Sequence, residues 1–198
     1  MKKIIAFVTI FAVALGSAFS AQGQEFKHEL GISYGALSNS QIIDDYEGAI
    51  LTGLSVGGVS FGHDHYVGPI SVDYFYHINP LVGVGAIASI GFNNQDVIEE
   101  GGVNGKVKHQ YYTLMPAVKL DWFRRDKFGM YSKLAVGATL RNENYDPETG
   151  ESDSDSELHV NWQASLIGFE LGGVQTRGFL ELGTGEQGIL VLGLRHKF

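Results

Sequence analysis

The sequence contains no cysteine, only four prolines among its 198 residues, and fewer basic than acidic side chains. Without cysteine, a disulfide scaffold, a thiolate-ligated zinc or iron–sulfur site and a lipid anchor on an amino-terminal cysteine are all excluded. The formal net charge is −8. Non-specific affinity for nucleic acid comes from cations that neutralise phosphates, so we expect no nucleic-acid partner. We also expect no cofactor.

Long apolar runs are missing after the first 23 residues. The chain starts "MKKIIAFVTIFAVALGSAFSAQGQE", which is a basic pair, an apolar segment of twelve residues and then small residues. This order is typical of a secretory signal peptide, with cleavage expected after Ser20 or Gly23. The alternative is an uncleaved anchor, but the apolar segment is short for a membrane span of about 20 residues. We expect residues 1–23 to be a signal peptide and residues 24–198 to form one domain.

The dominant pattern in the rest of the chain is an alternation of period two. In "VKHQYYTLMPAVKLDWF", residues 107–123, the even positions are apolar from Tyr112 onward and the odd positions are mixed. This pattern is typical of a strand with one apolar face, and the strand is far longer than the usual five or six residues or so. The alternation predicts eight strands, at 26–36, 66–78, 82–93, 107–123, 128–141, 158–166, 177–183 and 188–198. After a break in phase the sixth strand continues to Leu171, and a bulge at Gly168 would keep Glu170 on the mixed face.

The predicted connections alternate in length. Long ones follow the first, third and fifth strands, at 37–65, 94–106 and 142–157. Short ones follow the second, fourth and sixth strands, at 79–81, 124–127 and 172–176, and a further short connection lies at 184–187. Long loops on one rim and short turns on the other are the organisation of an outer-membrane barrel. An even number of strands places both termini on the short-turn rim, which faces the periplasm.

A soluble sandwich or a lipocalin-like barrel also has period two. Three features favour a membrane barrel: the long strands, a mixed face rich in small and charged residues, and aromatic residues near the strand ends. The aromatic residues predicted to form two interfacial girdles are Phe26, Tyr76, Phe92, Tyr112, Trp122, Phe128 and Phe198. The predicted fold is therefore all-β, an eight-stranded antiparallel up-and-down transmembrane β-barrel with both termini periplasmic.

The signal peptide, the eight strands, "YVGPISVDYFYHINPLVGVGA" and the ending "GILVLGLRHKF" resemble small Gram-negative outer-membrane barrels. The nearest group is the porin-like or OmpA/OmpX-like barrel family that is common in Bacteroidetes. The resemblance implies a location in the cell outer membrane. It also implies four partners: outer-membrane lipids, lipopolysaccharide, an unknown extracellular ligand and the barrel-assembly machinery. In this family the machinery reads an alternating last strand that ends in phenylalanine. Phe198 fits this signal, whereas His196 stands where an apolar residue is more usual.

Few residues suggest chemistry. His63 and His65 have the spacing of two metal ligands on one strand face, but no third ligand is nearby, so a polar loop boundary is favoured. The seven acidic residues of 142–157 suggest either a weak divalent-cation site or a solvated loop, and the second is favoured. No histidine is followed two residues later by serine, which is the motif of lipid A deacylase barrels. We assign no catalytic, cofactor-binding or metal-binding residue and expect no enzymatic activity.

The charged residues of the mixed face would point into a narrow lumen, where unpaired charges are costly. They are Lys27, Glu29, Asp73, Lys119, Asp121, Lys133, Arg141, Glu181 and Arg195. The first and last strands become neighbours when the barrel closes, so we predict that Glu29 and Arg195 face each other inside. A lumen filled by side chains favours a structural or surface-interaction role through the extracellular loops. The alternatives are a narrow channel or small-molecule transporter and, less favoured, a lipid A-modifying enzyme.

Overall fold

The structure is a computed structural model that describes residues 26–42, 60–61, 65–99, 102–147 and 153–198. Within these ranges the chain is almost entirely strand. No helix in the described part of the chain is long and apolar enough to cross a membrane. The predicted signal peptide, residues 1–23, lies outside the described residues and stays a prediction.

Eight long strands follow one another along the chain. They are β1 (His28–Ala36), β2 (His65–Asn79), β3 (Val82–Glu99), β4 (Gly102–Arg124), β5 (Phe128–Pro147), β6 (Asp153–Gly172), β7 (Thr176–Gly185) and β8 (Leu190–Lys197). The two-residue strand Ser60–Phe61 pairs with the end of β3. Every predicted strand is therefore present. Strands β3 to β6 extend further than predicted, and the bounds of the others lie within a few residues of the expected ones.

The sheet closes on itself. Each strand pairs antiparallel with the next, and β1 pairs with both β2 and β8. Ile32 on β1, for example, lies opposite Val72 on β2 and Leu194 on β8. Closure satisfies the backbone hydrogen bonds of the first and last strands and removes the sheet edge, as a spanning β-structure requires. The predicted eight-stranded up-and-down barrel is confirmed.

Apolar side chains cover the outside of the barrel. On β8, Leu192 and Leu194 are 63% and 59% exposed, whereas the preceding Val191 and the following Arg195 are each 1% exposed. The same alternation holds on β4, where Leu114, Val118 and Leu120 face outward. A soluble barrel would bury its apolar face and wet its polar one, so this arrangement is typical of a membrane-spanning barrel. The arrangement also explains why charged residues alternate with leucines, because the charged residues face the lumen and the leucines face outward.

Two of the predicted long loops are wrong. Strands β3 and β4 remain paired up to Glu99 and Gly102, which leaves a two-residue connection where 94–106 was expected to be a loop. Likewise β5 and β6 pair through Asn144 and Ser154, inside the expected loop 142–157. The polar segments still pair because backbone hydrogen bonding needs no apolar face once the strands leave the membrane. The hydrophobic alternation that predicts a spanning strand simply stops there.

The bulge in β6 also differs from the prediction. The register between β6 and β7 shifts between Ser165 and Ile167, before Gly168 rather than at it. Glu170 nevertheless lies inside, as expected. Gly168 has a separate role, since a Cβ there would lie within 2.4 Å of the Tyr131 ring. Glycine at this position makes room for a bulky aromatic side chain inside the barrel.

Candidate functional site: a filled lumen and an exposed sheet edge

The rim with the short turns at 80–81, 125–127 and 173–175 is called the turn rim, and the opposite one the extended rim. Next to the turn rim the lumen holds ten buried charged side chains, which we call the lumen network. Its carboxylates are Glu29, Asp73, Asp121, Glu170 and Glu181, and its cations are Lys119, Lys133, Arg177, Arg195 and Lys197. Five negative and five positive charges balance. Each member is at most 4% exposed, so balance is needed to offset the cost of desolvation.

Arg195 on β8 lies at the centre of the network. Its Nε is 2.9 Å from Oε1 of Glu29, which confirms the predicted contact between the first and last strands. Its Nη1 donates to Oε1 of Glu170 at 2.9 Å, and its Nη2 donates to Oδ2 of Asp73 at 3.2 Å. One guanidinium therefore links carboxylates from β1, β2 and β6, using the fork of donors that only arginine offers.

Glu170 contacts four of the five cations of the network. It accepts hydrogen bonds from Nζ of Lys119 at 2.6 Å and Nζ of Lys197 at 2.7 Å, besides the one from Arg195. A fourth cation, Arg177, donates from Nη1 at 3.3 Å. The bulge before Gly168 brings this carboxylate inward, so a local irregularity of β6 completes the network.

Two members of the lumen network, Lys197 and Arg177, were not predicted from the sequence, and two predicted residues do not belong to it. Lys197 is two positions from Arg195, and Arg177 is four positions from Glu181, so the period-two pattern places both on the inward face. Lys27, by contrast, is exposed at the turn rim. Arg141 is only partly buried and lies 3.6 Å from Glu143 outside the network.

Aromatic and apolar side chains fill the space that charges leave. The ring of Tyr131 lies 4.2 Å from Nζ of Lys119, and its hydroxyl donates to Glu181 at 2.6 Å. Arg195 also stacks over the ring of Phe179, 4.2 Å from its centroid. Next to these residues lies an apolar cluster of Phe75, Ile87, Met115, Ala117 and Ala135. Side chains thus fill the lumen, as expected for eight strands.

Toward the extended rim, hydroxyl groups line much of the lumen. Five adjacent strands each contribute an inward hydroxyl at matching register, from Ser33, Ser71, Ser89, Thr113 and Thr139. Neighbouring hydroxyls bond to each other: the oxygens of Ser71 and Ser89 are 2.7 Å apart, and so are those of Thr113 and Thr139.

Glu186, in the connection between β7 and β8, closes this end. Its carboxylate accepts hydrogen bonds from Oγ of Ser40 at 2.8 Å and Nδ2 of Asn161 at 2.8 Å. Ser40 belongs to the helical residues 39–42, so the contact ties the chain after β1 to the barrel. Burial raises the pKa of Glu186, and the hydrogen bonds from Ser40 and Asn161 oppose that shift.

Beyond the extended rim, β3 to β6 continue as a four-stranded projecting sheet. The last pair between β6 and β7 joins Gln163 to Gly185, and Glu186 adds one hydrogen bond to the carbonyl of Trp162. From Asp153 to Asn161, β6 pairs with β5 alone among the described residues. These nine residues form an open edge of about 30 Å, which we call the β6 edge.

The predicted histidine pair is not tested by the structure. His63 lies outside the described residues, as does the side chain of His65. Within the described ranges no group of three or more histidine, aspartate or glutamate side chains has the arrangement of a metal site. The parts of the acidic segment that are described, 142–147 and 153–157, belong to β5 and β6.

A closed eight-stranded barrel with an apolar exterior and a charged, filled interior is a small outer-membrane β-barrel. Two solved structures are similar to it. One is Ail, the attachment invasion locus protein of Yersinia pestis, at 17% identity and a TM-score of 0.48, covering 88% of this chain and 100% of that one. The other is Ail in complex with the heparin analogue sucrose octasulfate, at 15% identity and a TM-score of 0.45, covering 87% and 99%.

No protein-family model and no curated protein matches the sequence. The fold and the membrane location therefore rest on the geometry of the barrel itself. The closed eight-stranded sheet confirms the resemblance to small outer-membrane barrels at the level of fold, and the Bacteroidetes-like origin stays a prediction.

Proposed function

We propose that this protein is a surface-interaction protein whose projecting sheet binds an extracellular partner along the β6 edge. The observation that carries this proposal is the run from Asp153 to Asn161, which pairs with β5 alone among the described residues. An open strand edge presents a row of free backbone donors and acceptors, to which an extended segment of another protein can add as a further strand. The turn rim, with both termini, then faces the periplasm.

The side chains of the β6 edge favour a basic partner strand. Leu158 and Val160 are 69% and 79% exposed and offer apolar contacts on one face. Asp155 and Glu157 lie on the other face, with Glu143 of β5 opposite Asp155. Charged side chains on an edge oppose pairing between two copies of the same strand and select a partner of opposite charge. A polyanion is disfavoured for the same reason.

The lumen network argues against the narrow-channel alternative. Its buried ion pairs and the apolar cluster occupy the space that a solute would need. We propose no catalytic role for any residue. Lipopolysaccharide, outer-membrane lipids and the assembly machinery remain proposed partners. For the machinery, support comes from Phe198, whose N–H and carbonyl both bond to His28 at 2.9 Å and so hold the last residue against β1.

The proposal is tested by blocking the β6 edge without changing its side-chain chemistry elsewhere. The carbonyl of Trp162 points to the β7 side, so the backbone groups of other even positions, including Leu158, point to the open edge. Leu158→Pro therefore removes one edge donor and leaves the hydrogen bonds to β5 in place. Leu158→Thr removes the apolar side chain but keeps the donor.

The probe is a synthetic ten-residue peptide of alternating lysine and valine, measured by fluorescence anisotropy against the barrel in nanodiscs. We expect the wild-type protein and Leu158→Thr to bind it, and Leu158→Pro to bind about tenfold more weakly or worse, since a lost hydrogen bond and a misfit strand cost on the order of 1–2 kcal/mol. Equal binding of a glutamate–valine peptide, or unchanged binding by Leu158→Pro, would contradict the proposal.

A further inference from the structure

A cavity of about 420 Å³ opens at the turn rim, on the opposite side of the barrel from the β6 edge. Its walls come from the residues before β1, from three short turns and from the ends of β2, β4, β7 and β8. Five lining residues are Lys or Arg, namely Lys27, Arg124, Arg125, Arg177 and Lys197, and one, Asp126, is a carboxylate. The size lies within the range of small-molecule sites, which is about 300–1,000 Å³.

Two of the five cations are already neutralised. Arg177 and Lys197 belong to the lumen network and both bond to Glu170. The network is balanced at five charges of each sign, so it has no negative charge left over for the other three. The remaining cations, Lys27, Arg124 and Arg125, form no ion pair within 4 Å with a carboxylate of the described residues.

Arg177 is held in place at the cavity wall, and the guanidinium of Arg125 lies 5.3 Å from the centroid of the Phe123 ring. Arg177 donates from Nη2 to the carbonyls of Arg125 at 2.7 Å and Asp126 at 3.1 Å, and from Nε to the carbonyl of Gly173 at 3.0 Å. These bonds fasten the turn between β4 and β5 to the turn between β6 and β7. Arg124 has only a long contact, 3.4 Å, from Nη2 to the carbonyl of Phe26. Its remaining donors are available to a ligand that enters a preformed site.

The lining suits a ligand with an anionic group and an apolar part. Guanidinium groups match the geometry of phosphate oxygens and bind them with two parallel hydrogen bonds. Phe26, Ile78, Pro80 and Val174 add apolar surface beside the cations. Basic pockets at a membrane surface bind the headgroups of anionic lipids on this principle.

We propose that this cavity binds a phosphoryl group, supplied by the headgroup of an anionic phospholipid in the leaflet around the turn rim. Arg124, Arg125 and Lys27 hold the phosphoryl oxygens, and the apolar lining contacts the glycerol portion and the start of the acyl chains. The site does not depend on the β6 edge or on what binds there. A free phosphate ion shares the recognition chemistry and is the other source that the test must separate.

The test uses the full barrel in neutral detergent micelles, with native mass spectrometry of bound phosphatidylglycerol and, separately, phosphatidylcholine. Arg124→Gln with Arg125→Gln removes two cavity cations. Lys106→Gln with Lys108→Gln is the matched control, because it removes two cations from the other end of β4. We expect the wild-type protein to retain phosphatidylglycerol and the arginine variant to bind it at least about tenfold more weakly, since each cation near a lipid surface contributes about 1 kcal/mol. The control is expected to stay within about twofold of wild type, since Lys106 and Lys108 lie away from the cavity.

Inorganic phosphate distinguishes the two sources. If phosphate does not displace the lipid, the headgroup is the ligand, whereas displacement that is lost in the arginine variant identifies a general phosphoryl site. Equal retention of phosphatidylglycerol and phosphatidylcholine, or unchanged lipid binding by the arginine variant, would overturn the proposal. If the double variant fails the heat-modifiable gel shift of folded barrels, Lys27→Gln tests the same prediction with one exposed residue.

Discussion

Glu170→Gln should strongly destabilise the barrel. The carboxylate lies within 2.6–3.3 Å of Lys119, Lys197, Arg195 and Arg177. Glutamine keeps the volume but leaves five buried cations sharing four carboxylates, which is one excess positive charge. Each contact at about 3 Å is worth several kcal/mol before desolvation and cation–cation repulsion are subtracted. Removing one partner of a buried ion pair typically costs about 3–5 kcal/mol, which is the loss we expect here.

The assay is equilibrium urea unfolding of the barrel in lipid vesicles, followed by tryptophan fluorescence. Trp122 and Trp162 both face outward, 53% and 41% exposed, so their emission reports contact with lipid. Glu143→Gln is the matched control: this carboxylate is 43% exposed and pairs with His109 and Arg141, so a change of at most about 1 kcal/mol is expected.

A second variant separates charge balance from packing. Adding Lys197→Met to Glu170→Gln removes the excess cation, and we expect it to recover part of the lost stability. Two results would refute the description of the network as buried and balanced. One is a loss of unfolding free energy below about 1 kcal/mol for Glu170→Gln, and the other is a double variant whose loss equals the full sum of the two single losses.

Two further variants test other parts of the barrel. Gly168→Ala places a Cβ within 2.4 Å of the Tyr131 ring and should cost about 1–3 kcal/mol in the same unfolding assay, whereas Gly178→Ala, with its nearest atoms at 3.8 Å, should cost less than about 1. Equal losses would contradict this account. Because burial raises the pKa of Glu186, the folded barrel binds this proton more readily than the unfolded chain does. The stability that Glu186 contributes should therefore be fully present below the ordinary carboxyl pKa of about 4.3 and be lost as the pH rises through the raised pKa. Urea unfolding at a series of pH values measures this, and Glu186→Gln should remove this part of the pH dependence.

The alternation of apolar and polar residues predicted the strands well only where the two faces of a strand meet different environments. Between lipid and lumen, each residue of β4 from Tyr112 to Asp121 meets one or the other, so the pattern in the sequence is strong. In the projecting sheet most side chains are polar on both faces, so the pattern disappears although pairing continues. That is why 94–106 and 142–157 were expected to be loops. The β6 edge arises from the same cause and was not foreseen.

Contacts within the lumen were predictable only between strands whose adjacency follows from closure. Glu29 and Arg195 belong to the first and last strands, which must pair in any closed sheet. Lys119 and Glu170, on β4 and β6, meet across the lumen because of strand tilt and the bulge in β6, and alternation contains no information on either. The bond between Glu186 and Ser40 depends on the path of the chain after β1, which has no periodic signal.

The distribution of charge along the barrel explains how one small domain can present two independent surfaces. The lumen network is balanced, with five charges of each sign, and it lies next to the apolar cluster, so it does not neutralise the charges at the rims. The cations of the turn rim therefore still produce a positive electrostatic potential there. The carboxylates of the projecting sheet, including Asp155 and Glu157, likewise still produce a negative one. An acidic sheet is repelled by an anionic membrane surface and is held away from it, which keeps the β6 edge accessible to a protein partner. A basic rim is attracted to such a surface. Opposite charges at the two ends thus favour one orientation of the barrel and assign lipid contact to the turn rim and protein contact to the extended rim.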